Sequence, residues 1–68
     1  MSIKFLLNGE EKIINQPISL AQLVLNLGLD VKKIAVEKDL EIVMPDVFEK
    51  IMIEENCRIE IVHFIGGG

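Results

Sequence analysis

Arg58-Ile59-Glu60-Ile61-Val62-His63-Phe64-Ile65-Gly66-Gly67-Gly68 ends the chain, and the stretch from Arg58 to Phe64 reads as a strand. It is rich in β-branched residues and carries no turn residue. Side chains alternate along a strand, so Ile59, Ile61, His63 and Ile65 point one way and Arg58, Glu60, Val62 and Phe64 the other. The first set opens on two aliphatics and belongs to a core. The second opens on two charges and belongs to solvent. Val62 and Phe64 then stand on the solvent side, in line with the glycines. Such a pair reads either as a docking patch or as a strand end covered by a twist or a loop.

Upstream residues supply the rest of a small sheet. Ile3 to Leu7 and Glu11 to Asn15 read as strands around Asn8-Gly9, whose residues tolerate the positive φ of a tight hairpin. Pro17 has no N–H to donate and ends the second strand. Ser19-Leu20-Ala21-Gln22 fits a capping box, in which the glutamine side chain reaches back to the serine N–H. Leu20, Leu23, Val24 and Leu27 follow at helical spacing, and Gly28 stands where a left-handed C-terminal residue is expected, covered by Leu29. Lys33 to Glu37 reads as a third strand with Ile34 and Val36 inward. Lys38 to Glu41 reads as a turn into a short strand at Ile42-Val43, and Met44-Pro45-Asp46 breaks it. Residues 47–55 read as a helical turn plus a covering loop. This order, with one amphipathic helix, predicts an α+β fold: a mixed sheet of four to five strands with the helix across one face. If the first and last strands are central neighbours in it, they run parallel. Residues 1–65 form the domain and 66–68 a flexible tail.

Composition narrows the function. A chain of 68 residues buries only about 60% of the surface it exposes when unfolded, leaving no core to spare for an enclosed catalytic pocket. A net charge of −4 with scattered lysines argues against nucleic acid and suits a partner with a basic docking surface. The single cysteine, Cys57, rules out an internal disulfide. No apolar run approaches a membrane span, and Asn8 to Lys12 interrupts any signal-peptide pattern, so a cytoplasmic protein is expected. No metal-ligand spacing, nucleophile–base pair or phosphate loop occurs.

The glycines admit a bland reading, a frayed end, and a chemical one. A carboxylate is a poor electrophile and needs activation, for example as an acyl-adenylate enclosed away from water. A thread without side chains can enter a narrow channel and take any φ/ψ required there. Gly68 would also leave its carbonyl open to a sulfur nucleophile.

The run from Arg58 to Gly68, with Ala35-Val36-Glu37 ahead of Ile42-Val43-Met44-Pro45, resembles the ThiS family of ubiquitin-like β-grasp sulfur carriers in thiamine biosynthesis. The resemblance implies that Gly68 is the covalent attachment point for adenylate and thiocarboxylate, with Gly66 and Gly67 threading the partner's channel. It implies docking through Val62, Phe64, Glu60 and His63, with no catalytic residue and no bound cofactor or metal. ATP would be used by an adenylyltransferase of the ubiquitin-activating type (ThiF-like). Sulfur would come from a persulfide donor and pass to a thiazole synthase (ThiG-like). The alternatives are a carrier of the molybdopterin-synthase small-subunit type, and a ubiquitin-like modifier or interaction module. Asn56-Cys57 stands where the family often has Gly-Asp, and asparagine can keep that turn. Cys57 invites a role in sulfur handling, yet a lone cysteine at a strand entrance also reads as a small buried hydrophobe. His63 has no partner in the sequence for a proton-shuttle role, and Glu54, Glu55 and Glu60 read as a solvated face.

Overall fold

Asn8 and Gly9 adopt φ of 51° and 84°, and this turn joins β1 (Ile3–Leu7) to β2 (Glu10–Ile14) as an antiparallel hairpin. The computed structural model of the chain describes residues 2–64; Ile65 and the glycine tail lie outside the described residues. β2 begins and ends one residue earlier than its composition suggests, so Pro17 lies beyond its end rather than at it. A 3-10 turn, Val31–Lys33, leads into β3 (Ile34–Lys38), followed by β4 (Glu41–Val43) and β5 (Arg58–His63). The strands form one sheet in the order β2-β1-β5-β3-β4. β1 and β5 are parallel central neighbours, and β3 is antiparallel to both β4 and β5. The α+β expectation therefore holds with five strands.

α1 (Leu20–Asn26) is a helix of seven residues with hydrogen-bond partners at both ends. The first N–H groups of a helix have no internal partner. Here Leu20 N–H donates to the Ile51 carbonyl at 2.7 Å and Ala21 N–H to the Phe48 carbonyl at 3.1 Å. Gln22 N–H donates to Ser19 Oγ at 3.0 Å. Only half of the expected capping box forms, because the Gln22 side chain turns away and donates to Asn26 Oδ1 at 2.8 Å. The 48–53 segment runs alongside, forming an isolated antiparallel bridge between Ser19 and Met52. At the other end Gly28, at φ 73°, donates to Leu25 and Leu29 donates to Val24, the two bonds of a Schellman motif. Leu20, Leu23 and Val24 face the sheet, but Leu27, the fourth member of the apolar stripe, is 43% exposed at the turn.

The core lies between α1 and the inner face of the sheet. Phe5 and Leu7 from β1, Ile34 and Val36 from β3, and Ile59 and Ile61 from β5 meet the helix residues there. Phe48 and Ile53 close the open side, so residues 47–55 are a cap over both the core and the helix N-terminus. Cys57 is buried among these residues, as its bland reading has it. An ion pair between Lys38 Nζ and Glu54 Oε1 at 2.6 Å ties the cap to β3, and this hydrogen bond raises the Lys38 pKa.

The β3–β4 turn has an unusual residue. Asp39 and Leu40 have φ of 52° and 73°. Asp39 is held by β5: its N–H donates to the Arg58 carbonyl at 2.8 Å and its Oδ1 accepts from Arg58 N–H at 2.9 Å. Leu40 has no such compensation and is 70% exposed. A left-handed conformation costs a side chain with a Cβ roughly 1–2 kcal/mol, against roughly 0.5–1 kcal/mol for ordering a glycine. Leu40→Gly is therefore expected to stabilise the domain by about 0.5–1 kcal/mol. In a domain of this size that raises the midpoint by about 3–6 °C. A midpoint at or below that of the parent in calorimetry would contradict the strain.

Candidate functional site

β5 carries the site because both of its neighbours fix its two faces. Leu6 N–H and Asn8 N–H donate to the Cys57 and Ile59 carbonyls, each at 2.9 Å, on the β1 side. On the other side β3 pairs along its whole length, from Lys38 opposite Ile59 to Ile34 opposite His63. Ile59 and Ile61 are thereby locked inward, and Glu60 and Val62 must face out. Val62 is 61% exposed and Phe64 59% exposed, so no loop covers them. The covered-strand-end reading of these two residues is therefore the one that falls away. The strand ends at His63 rather than at Phe64, although Phe64 N–H still donates to the Lys33 carbonyl at 2.9 Å.

The register brings further residues to this face. Ala35 lies directly opposite Val62, and Glu37 directly opposite Glu60. Ile42 lies opposite Glu37 on the far side and is strongly exposed, as is Met44 just beyond β4. Ala35, Ile42, Met44, Pro45 and Phe64 line a shallow groove. The result is an apolar surface at the tail end of the sheet, bordered by two carboxylates. Like charges directly opposite each other on a sheet are unfavourable, and neither Glu37 nor Glu60 forms an ion pair among the described residues. A basic group from a partner would relieve that repulsion. Sequence reasoning found Val62, Phe64 and Glu60 but missed Ala35, Glu37, Ile42 and Met44. The alternation of Ile34 and Val36 implied that Ala35 and Glu37 face outward; only the register shows what they face.

His63 is exposed and lies opposite Ile34, beside the start of the tail and away from the Val62–Phe64 side of the strand. Gly66, Gly67 and Gly68 lie outside the described residues. Asn56 takes φ of 65°, so the turn into β5 survives without a glycine. Among the described residues no cluster of His, Cys, Asp or Glu could hold a metal ion, and no helix is long and apolar enough to cross a membrane. What the site offers is a surface and a direction.

A five-stranded mixed sheet with parallel central strands and one helix across its inner face defines a ubiquitin-like β-grasp domain. The ThiS family model matches residues 4–68, and the chain belongs to the ThiS family. The crystal structure of the thiamine biosynthesis protein ThiS from Geobacter metallireducens has the same fold. The TM-score is 0.83 over 97% of this chain and 100% of that one, at 19% identity. In sequence the chain is 38% identical over 66 residues to a thiazole synthase of Paramagnetospirillum magneticum and 36% identical to one of Magnetococcus marinus. Both alignments cover 97% of this chain but 20% of the relative, so the chain spans about one fifth of the length of these relatives.

Proposed function

We propose that the chain is a sulfur carrier for building the thiazole ring of thiamine, working in the cytoplasm and having no catalytic site of its own. The observation that carries this reading is β5: a strand paired along its length with β3 and at its start with β1, with an outward apolar and acidic face, in a sequence that runs on to Gly66-Gly67-Gly68. Membership of the ThiS family supports it. So does the similarity to thiazole synthases, in which a segment like this one is part of a longer polypeptide.

The chemistry falls on the carboxylate of Gly68 as the end of the chain. An adenylyltransferase of the ubiquitin-activating type joins it to AMP from ATP, releasing pyrophosphate. The terminal sulfur of a persulfide then displaces AMP at the carbonyl carbon, and a thiol cleaves the resulting acyl disulfide to leave a thiocarboxylate. A thiazole synthase takes the sulfur from it. Gly66 and Gly67 thread the enzyme channel, while Val62, Phe64, Glu60 and His63 face the partner. Placing the reactive group on a thread without side chains lets each enzyme enclose it and exclude water.

Intact-mass measurement after incubation with the adenylyltransferase, ATP and a persulfide donor tests this reading. The expected result is exchange of one oxygen for sulfur, mapped to Gly68 as the last residue. A chain with its tail intact that gains no sulfur, or instead forms an isopeptide bond to a lysine, would refute the proposal.

A further inference from the structure

β5 continues past the end of β1, and this leaves one stretch of sheet edge open beside the tail. Which way each backbone group points follows from the ladder with β3. Asp39 N–H donates to Arg58 and Phe64 N–H donates to Lys33, so Arg58, Glu60, Val62 and Phe64 turn their N–H and C=O groups toward β3. Ile59, Ile61 and His63 turn theirs toward β1. There Asn8 N–H meets the Ile59 carbonyl at 2.9 Å, and the chain then leaves in the hairpin turn. The Asn8 side chain makes the last contact, its Oδ1 accepting from Ile61 N–H at 2.8 Å. Beyond it, the Ile61 carbonyl and His63 N–H have no hydrogen-bond partner among the described residues.

Two unpaired groups on an extended strand form a template for another strand. Their spacing is that of a parallel ladder: one residue of an added strand can donate to the Ile61 carbonyl and accept from His63 N–H. This continues the pattern β1 makes up to Ile59.

We propose that an extended segment of the thiazole synthase pairs with the open edge of β5 at Ile61 and His63. Main-chain hydrogen bonds would then join the carrier to its acceptor in addition to side-chain docking. The inference rests on the sulfur-carrier reading. The synthase is chosen as the occupant because the longer relatives bearing a segment similar to this chain are thiazole synthases, which keeps the two in permanent proximity. A second copy of this chain is the competing occupant.

Cys57 makes the test direct, since it is the only cysteine and stands at the entrance of β5. Ligation of a Met1–Asn56 thioester to a synthetic Cys57–Gly68 peptide gives the full chain. In one version an ester replaces the Val62–His63 amide, removing the His63 N–H while keeping every side chain. The ester chain is expected to fold, because that N–H has no partner among the described residues, and to bind the synthase about three- to tenfold more weakly. In the unmodified chain, exchange of the His63 amide should slow about three- to tenfold when the synthase is saturating, as a new hydrogen bond of this strength requires. Equal binding by both chains, with His63 exchange unchanged in the saturated complex, overturns the edge while leaving the carrier reading intact. Failure of the unmodified chain to bind the synthase overturns both. Protection that rises with the concentration of the chain alone puts a second copy on the edge and also overturns the proposal.

Discussion

The double variant Val62→Asp/Phe64→Asp is expected to unfold within about 2 °C of the parent and to bind its partner enzyme roughly a hundredfold or more weakly. Both side chains are majority-exposed, so the free domain loses little packing. In a complex the balance reverses. Fully burying a side chain of this kind contributes about 1.5–3 kcal/mol, and interface energy concentrates in a few such apolar anchors. Two anchors lost together exceed the roughly 2.7 kcal/mol of a hundredfold change. The aspartates also add charge beside Glu37 and Glu60, which already face each other without a counter-ion among the described residues. Ile13→Asp is the control. Ile13 lies opposite Lys4 on β2, on the same side of the sheet but at its far edge, and is 66% exposed. Calorimetric titration should find its affinity unchanged. Parent-like affinity in the double variant would remove these residues from the docking surface.

Leu20→Ala should have the largest effect on stability. Leu20 is completely enclosed, and its N–H also anchors the helix to the Ile51 carbonyl. A buried leucine cut back to alanine loses about 2–5 kcal/mol. A domain of this length has roughly 3–10 kcal/mol in total. The variant is therefore expected to lose about half of its stability or more, seen as a matching drop in the urea midpoint with little change in slope. Leu25→Ala, on the outer face of the same helix, should stay within about 0.5 kcal/mol of the parent. A loss below about 1 kcal/mol for Leu20→Ala would mean that the cavity collapses and that the helix is not the keystone of this core.

These two experiments separate surface from core, and the sequence separates them almost as well. Alternation along β5 placed Ile59 and Ile61 inside and Val62 and Phe64 outside, and the burial pattern agrees. The exposed apolar face beside it was only half legible. Glu60, Val62 and Phe64 sit on one strand, whereas Ala35, Glu37 and Ile42 join them through pairings between strands. The open edge at Ile61 and His63 was not legible at all. It exists because β1 stops short of the end of β5 and because the Asn8 side chain closes the ladder, which depend on register rather than composition.

Turn chemistry, capping and periodicity lie within a few neighbouring residues, so the sequence by itself determined the Asn8-Gly9 hairpin, the Ser19 cap, the Gly28 stop and the inward face of each strand. It also singled out the last strand and its glycines, and with them the family. Tertiary structure alone decided the role of residues 47–55. Nothing local marks Phe48 and Ile51 as acceptors for the helix N-terminus. They act as such because Phe48 and Ile53 need burial and the open side of the core is where they find it. The Gln22 side chain likewise bonds to Asn26 rather than to its capping partner. Short-range preferences are written into adjacent residues; which distant carbonyl meets a free N–H is settled only when the core closes.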